Sequence, residues 1–117
     1  MIRFSLFCLL TLASSALWAH ASLVKSIPAQ RAVLHHSPAK IELWFSERLE
    51  PKYSSFVLRD AKGKLVETEK AEVGSDDPKR LSVRLAPLVQ GRYLVKYRVL
   101  SVDGHIVEGE VPFSIGQ

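Results

Sequence analysis

From Ser22 onward, apolar residues recur at every second position, and no stretch holds a helical period. The runs are Ile41-Leu43-Phe45, Phe56-Leu58, Leu81-Val83-Leu85, Tyr93-Val95-Tyr97-Val99 and Val107-Val111-Phe113-Ile115. Each puts one side of a strand into a core, while Glu42, Arg59, Arg84, Lys96, Arg98 and Glu110 fall on the opposite side. Turn residues separate the runs at Pro28-Ala29, Ser37-Pro38, Asp60 to Gly63, Gly74 to Pro78, Gln90-Gly91 and Asp103-Gly104. Short strands at this spacing without crossover helices predict an all-β fold, a Greek-key β-sandwich or barrel of immunoglobulin-like or cupredoxin-like form. About seven strands are expected, near 22–27, 40–46, 53–60, 64–70, 80–85, 92–100 and 105–115.

Three local features refine this picture. Leu88, Gly91 and Tyr93 form an L-x-x-G-x-Y stretch, which fits either a tyrosine corner or a turn followed by a core tyrosine. Pro112 cannot donate a ladder hydrogen bond, so its strand is expected at a sheet edge or bulged there. The polar stretch from Glu67 to Lys79 reads as a strand end and a mobile loop, without a domain boundary.

Residues 1–19 depart from this pattern. Arg3 gives a positive start, and Phe4 to Leu17 is an uncharged apolar run, the layout of a cleaved secretory signal peptide and too short for a membrane span. Three junctions satisfy the small-residue rule: after Ala16, after Ala19 and after Ala21. The third matches A-x-A best and discards His20; the second leaves His20 as the first residue. Residues 20–117 then form one domain, in an oxidising compartment but without a disulfide, because Cys8 is the chain's single cysteine.

The net charge of +4 is spread along the chain without a basic block, so nothing suggests nucleic-acid binding. No G-x-S-x-G, phosphate-cradling glycine loop or H-E-x-x-H occurs, which leaves a hydrolase unsupported. Beyond residue 19 there is neither Cys nor Met, so thiolate zinc and soft Cu(I) sites lose support, while N/O coordination of a divalent metal stays open.

Four histidines are then the candidates for metal chemistry. At a new N-terminus His20 would offer its α-amine and imidazole as a built-in chelate; inside a chain it would be an ordinary exposed residue. Asp103-Gly104-His105 reads either as a tight turn or as a turn that aims Asp103 and His105 at one ion. Glu47 could reach a site at one end of the sandwich, though nothing local selects it over Glu50 or Glu108. His35-His36 reads as a solvated pair whose side chains point apart, and Trp44 as packing on a sandwich face rather than covering a metal.

Three blocks together resemble the CopC-type periplasmic copper-resistance proteins: H-A-S-L-V-K-S-I-P-A from His20, K-I-E-L-W-F-S-E from Lys40, and the Gly91 to Phe113 stretch with its R-V-x-S-x-D-G-H core. The resemblance implies a periplasmic Cu(II)-binding protein, cut immediately before His20, with His20, Asp103 and His105 as ligands and Glu47 beside them as a weak or outer-sphere partner. It further implies a monomer that sequesters copper or delivers it to a CopD-like inner-membrane protein. Some members carry a Met-rich Cu(I) site; Met1 is the single methionine here, so a Cu(II)-only form is expected. Two competing functions are a histidine-brace copper monooxygenase and a metal-free adhesion or assembly sandwich. The first needs an open coordination position and a substrate surface, for which no aromatic platform is evident.

Overall fold

The computed structural model describes residues 22–116. The alternating runs form nine strands: β1 (Leu23–Ile27), β2 (Ala32–Leu34), β3 (Lys40–Phe45), β4 (Ser55–Asp60), β5 (Leu65–Val66), β6 (Glu72–Val73), β7 (Arg80–Arg84), β8 (Gly91–Leu100) and β9 (Ile106–Ile115). A 3₁₀ turn, Pro51–Tyr53, joins β3 to β4. No helix among the described residues is long and apolar enough to cross a membrane.

The strands make two sheets, ordered β1-β3-β7-β6 and β2-β9-β8-β4-β5. The β2–β9 pair is parallel, and the other pairs are antiparallel. Their inner faces supply one core, in which Ile41, Leu43 and Phe45 meet Leu58, Leu81, Val95, Val99 and Val111, all essentially shielded from solvent. Outward positions carry cross-strand ion pairs, as expected where one face of a strand meets water: Arg98 with Glu108 at 2.9 Å and Lys96 with Glu110 at 3.8 Å.

The tyrosine corner is present. Tyr93, buried in the core, donates its hydroxyl to the carbonyl of Val89 at 2.6 Å and thereby pins the chain where it enters β8. Contrary to the sequence expectation, the strand that carries Pro112 is neither an edge strand nor bulged: β9 lies between β2 and β8, and its register with β8 runs unbroken through Pro112. The N–H of Arg31 donates to the Pro112 carbonyl at 2.7 Å, so the imide nitrogen, which faces the same way, leaves the β8 ladder intact. β2 covers the rest of that side only from Phe113 to Ile115.

Other features also differ from the sequence expectation. β2 is a strand where a loop was expected; it follows Arg31, whose φ is +63°, and hands the chain from one sheet to the other. Within the stretch expected to be a mobile loop, Ala71 is buried and Glu72–Val73 pair with Ser82 and Leu81 as β6. The strand expected at 64–70 ends at Val66.

Candidate metal-binding site

β8 and β9 are ten-residue strands joined by residues 101–105, with Val102, Asp103 and Gly104 at the tip between Ser101 and His105. The turn closes through Gly104 N–H to the Ser101 carbonyl and Ser101 N–H to the His105 carbonyl, both at 2.9 Å. Gly104 has φ +92°, a conformation that glycine adopts without a Cβ penalty and that the αL position of a three-residue hairpin loop requires.

This turn brings together the pair singled out in the sequence: His105 Nδ1 lies 3.2 Å from Asp103 Oδ1. The cause is the reversal of the chain between them, not the same-side alternation of an extended segment. Both side chains are partly exposed, at 33% for His105 and 40% for Asp103, so they stay open to an ion from solvent. The Ser101 hydroxyl, which donates to Asp103 Oδ1, is the main influence holding the Asp103 carboxyl below its ordinary range. The His105 ring and backbone act the same way, while partial desolvation opposes them.

Two other segments reach this end of the sandwich. Leu49 forms a bridge with Ser101, and Val102 N–H donates to the Arg48 carbonyl at 2.9 Å. At the start of the described chain, Ser22 N–H donates to Ser46 Oγ at 3.0 Å and Ser46 N–H to the Ser22 carbonyl at 2.9 Å. Glu47, partly buried, stands between Ser46 and Arg48, the residues that make these two connections. Hence the N-terminal segment, the segment after β3 and the β8–β9 hairpin converge, although they are far apart in sequence.

His20 lies outside the described residues, as do the proposed signal peptide and its cleavage junction. Among the described residues no group of three or more His, Cys, Asp or Glu side chains is placed to hold a metal, so Glu47 does not complete a trio with Asp103 and His105. His35 and His36 are exposed and follow β2, whose Leu34 pairs with Ile115 at the far end of β9 from His105. A ten-residue strand puts about 30 Å between the two ends. Trp44 lies on the outer face of its sheet, with Lys25 Nζ 4.9 Å from its ring centroid, which is face packing as the sequence suggested. A concavity of about 500 Å3 lined by Lys40, Glu72, Ser82 and Arg84 sits at the opposite end of β3 from Ser46.

Sequence reasoning missed the serines. Ser101, fully buried, and the Ser22–Ser46 pair organise the site without belonging to a recognised ligand type. The spacing Ser101-x-Asp103 at the mouth of an Asp-Gly turn was the available signal, since serine hydroxyls bond locally in such turns.

The chain is 37% identical over 116 residues to Protein YobA of Escherichia coli, covering 97% of this chain and 94% of that protein. It is 36% identical to Copper resistance protein C of Pseudomonas syringae pv. tomato, covering 95% and 92%. Against Copper transport protein CutJ of Bacillus subtilis it is 35% identical over 86% of its own length but spans 19% of that longer protein. Among solved structures, CopC from Methylosinus trichosporium OB3b superposes with a TM-score of 0.77 at 42% identity, covering 82% of this chain and 93% of that one. The family model described as CopC domain matches residues 23–116, from the first strand to the last, and this chain belongs to that family.

Proposed function

We propose that this protein is an exported, periplasmic carrier of Cu(II), a monomer that binds and releases the ion without catalysing a reaction. In this reading residues 1–19 are a signal peptide, removed so that His20 becomes the first residue of a domain spanning 20–117. The His20 amine and imidazole, the Asp103 carboxylate and the His105 imidazole are the ligands, and Glu47 stands beside them as an outer-sphere partner.

The observation that carries the proposal is the convergence of segments at one end of the sandwich. Asp103 and His105 touch at 3.2 Å, and Ser22, tied to Ser46, begins the described chain at that same end. In this reading His20 is two residues before Ser22 along the chain, a span of at most about 7 Å. The donor chemistry fits copper in its divalent state. Imidazole, amine and carboxylate suit Cu(II), which tops the stability order of first-row divalent ions at N/O sites. Beyond residue 19 the chain has no Cys or Met to favour Cu(I). The relatives named for copper resistance and copper transport support the same cargo. Delivery to a CopD-like inner-membrane protein is the hand-over that the family resemblance implies, and the relative named for copper transport is compatible with it.

The test is intact-mass measurement of the periplasmic protein followed by Cu(II) competition titration. A start at His20 and one stoichiometric site weakened by Asp103→Ala and by His105→Ala support the proposal. A start at Ser22, or binding indifferent to both substitutions, removes it.

A further inference from the structure

The hydroxyl of Ser101 has no apolar or solvent-facing role. Ser101 is fully buried at the end of β8, and its Oγ donates to Asp103 Oδ1 while accepting the His105 backbone N–H at 3.2 Å. The His105 carbonyl also lies 3.3 Å from Oγ, but a hydroxyl has one proton, and an ionised carboxylate is the stronger acceptor. That carbonyl is already served by the Ser101 backbone N–H at 2.9 Å. The proton therefore belongs to Asp103.

One carboxylate oxygen, Oδ1, is thus engaged by Ser101 and lies against the His105 ring, which restricts the orientation of the carboxyl group. An aspartate at a hairpin tip otherwise samples several rotamers, and ordering it at the moment of binding costs affinity. Holding a ligand by a buried outer-shell hydrogen bond avoids that cost.

We propose that Ser101 is a positioning residue for metal binding: its buried hydroxyl clamps Asp103 Oδ1 and so presents the carboxylate in one orientation beside His105. This rests on the reading of Asp103 and His105 as Cu(II) ligands. The two backbone bonds that close the hairpin do not involve the hydroxyl, so Ser101→Ala retains them; it removes the clamp on Asp103 together with the acceptor of the His105 N–H, and the Asp103→Ala background separates the two effects.

Cu(II) competition titration and paramagnetic resonance on the wild type, Ser101→Ala, Asp103→Ala and the double variant test it. Removing an outer-shell partner is expected to weaken Cu(II) binding about 10–100-fold. In the Asp103→Ala background the same Ser101→Ala change is expected to do nothing further, because the hydroxyl acts through that carboxylate. Ser101→Thr, which keeps the hydroxyl, is expected to restore affinity and spectrum, and it carries the test if Ser101→Ala fails to unfold cooperatively. Wild-type affinity in Ser101→Ala, an equal loss in both backgrounds, or a folded Ser101→Thr that binds no better than Asp103→Ala would overturn the clamp. The parent reading fails differently: the wild type does not bind Cu(II), or Asp103→Ala binds as well as wild type.

Discussion

Val102 and Arg48 are joined by one backbone hydrogen bond of 2.9 Å, and it locks the β8–β9 hairpin to the segment that follows β3. Two residues earlier in that segment, Ser46 receives the N–H of Ser22 at 3.0 Å. Glu47 lies between these anchors, so the position of Ser22, the first described residue, relative to the β8–β9 hairpin is set by the same short stretch, 46–48.

A single Ala placed before His20 gives the sharpest test of the terminal chelate. Every side chain is retained, Asp103 and His105 are untouched, and the α-amine of His20 becomes an amide. Cu(II) affinity is expected to fall by more than the 10–100-fold typical of losing an outer-shell partner, because a ligand itself is lost. Competition titration with paramagnetic resonance reads this, and an unchanged affinity and spectrum would show that the terminus is not a ligand.

The histidines should separate by location. His105→Ala removes an imidazole 3.2 Å from Asp103 and is expected to weaken Cu(II) binding as strongly as the Ala extension. His35→Ala and His36→Ala alter exposed side chains at the far end of the ten-residue β9 and should bind copper as the wild type does. Loss of affinity in either of the latter two, measured by the same titration, would move the site.

What could be read in the sequence follows from how long each signal is. β3, β4, β7, β8 and β9 each carry at least two apolar residues in strict alternation, and their positions were predicted to within about two residues. β2 and β6, three and two residues long, are too short to display a period, and they pair because their neighbours present an open edge. Asp103 and His105 were legible as types at a spacing, but the reversal through Gly104 that joins them was not distinguishable from a plain hairpin turn. Ser22, Ser46 and Ser101 were invisible as site residues because serine is a common surface residue, and only the pairing of distant segments gives these three a task.

The tyrosine corner predicts a stability effect with a defined pH sign. Tyr93→Phe removes the 2.6 Å bond to Val89 and should cost about 0.5–1.5 kcal/mol by denaturant unfolding. Burial, aided by the Asp60 charge, pushes the Tyr93 hydroxyl above the ordinary tyrosine range. Its contribution is therefore complete below that range and lost as pH rises through the raised value. Melting temperatures of the wild type should fall more steeply than those of Tyr93→Phe on the alkaline side; equal slopes would show that the corner does not titrate. Tyr97, also raised by burial, leaves a residual slope in both proteins.

Copper in its two oxidation states should be told apart cleanly. On the proposed cleavage before His20, the protein would have no thiol or thioether, because Cys8 and Met1 both precede that junction. One tight Cu(II) site and no comparable Cu(I) site are expected, since soft ligands select Cu(I). A Cu(I) competition titration yielding a second stoichiometric site would overturn the Cu(II)-only reading.

Two glycines near the site should fail in opposite ways when replaced by alanine. Gly109 faces inward on β9 opposite Tyr97, whose hydroxyl and ring occupy the space a Cβ would take. Tyr97 in turn stands edge-on to Phe45, with ring centroids 5.3 Å apart, at the end of β3 beside the Ser46 anchor. Gly109→Ala must displace that ring and should cost about 1–3 kcal/mol of stability through overpacking, while leaving the Asp103–His105 turn and hence Cu(II) affinity largely intact. Gly104 is the reverse case: nothing lies within 4 Å of an added Cβ, but its φ of +92° is one that L side chains rarely adopt. Gly104→Ala should cost roughly 1–2 kcal/mol in backbone strain or relax the turn, and relaxing it separates the two ligands. Denaturant unfolding and Cu(II) titration on both variants decide the matter. Gly104→Ala is expected to lose affinity out of proportion to its stability and Gly109→Ala the opposite, and parallel losses in the two would show that the turn geometry does not govern binding.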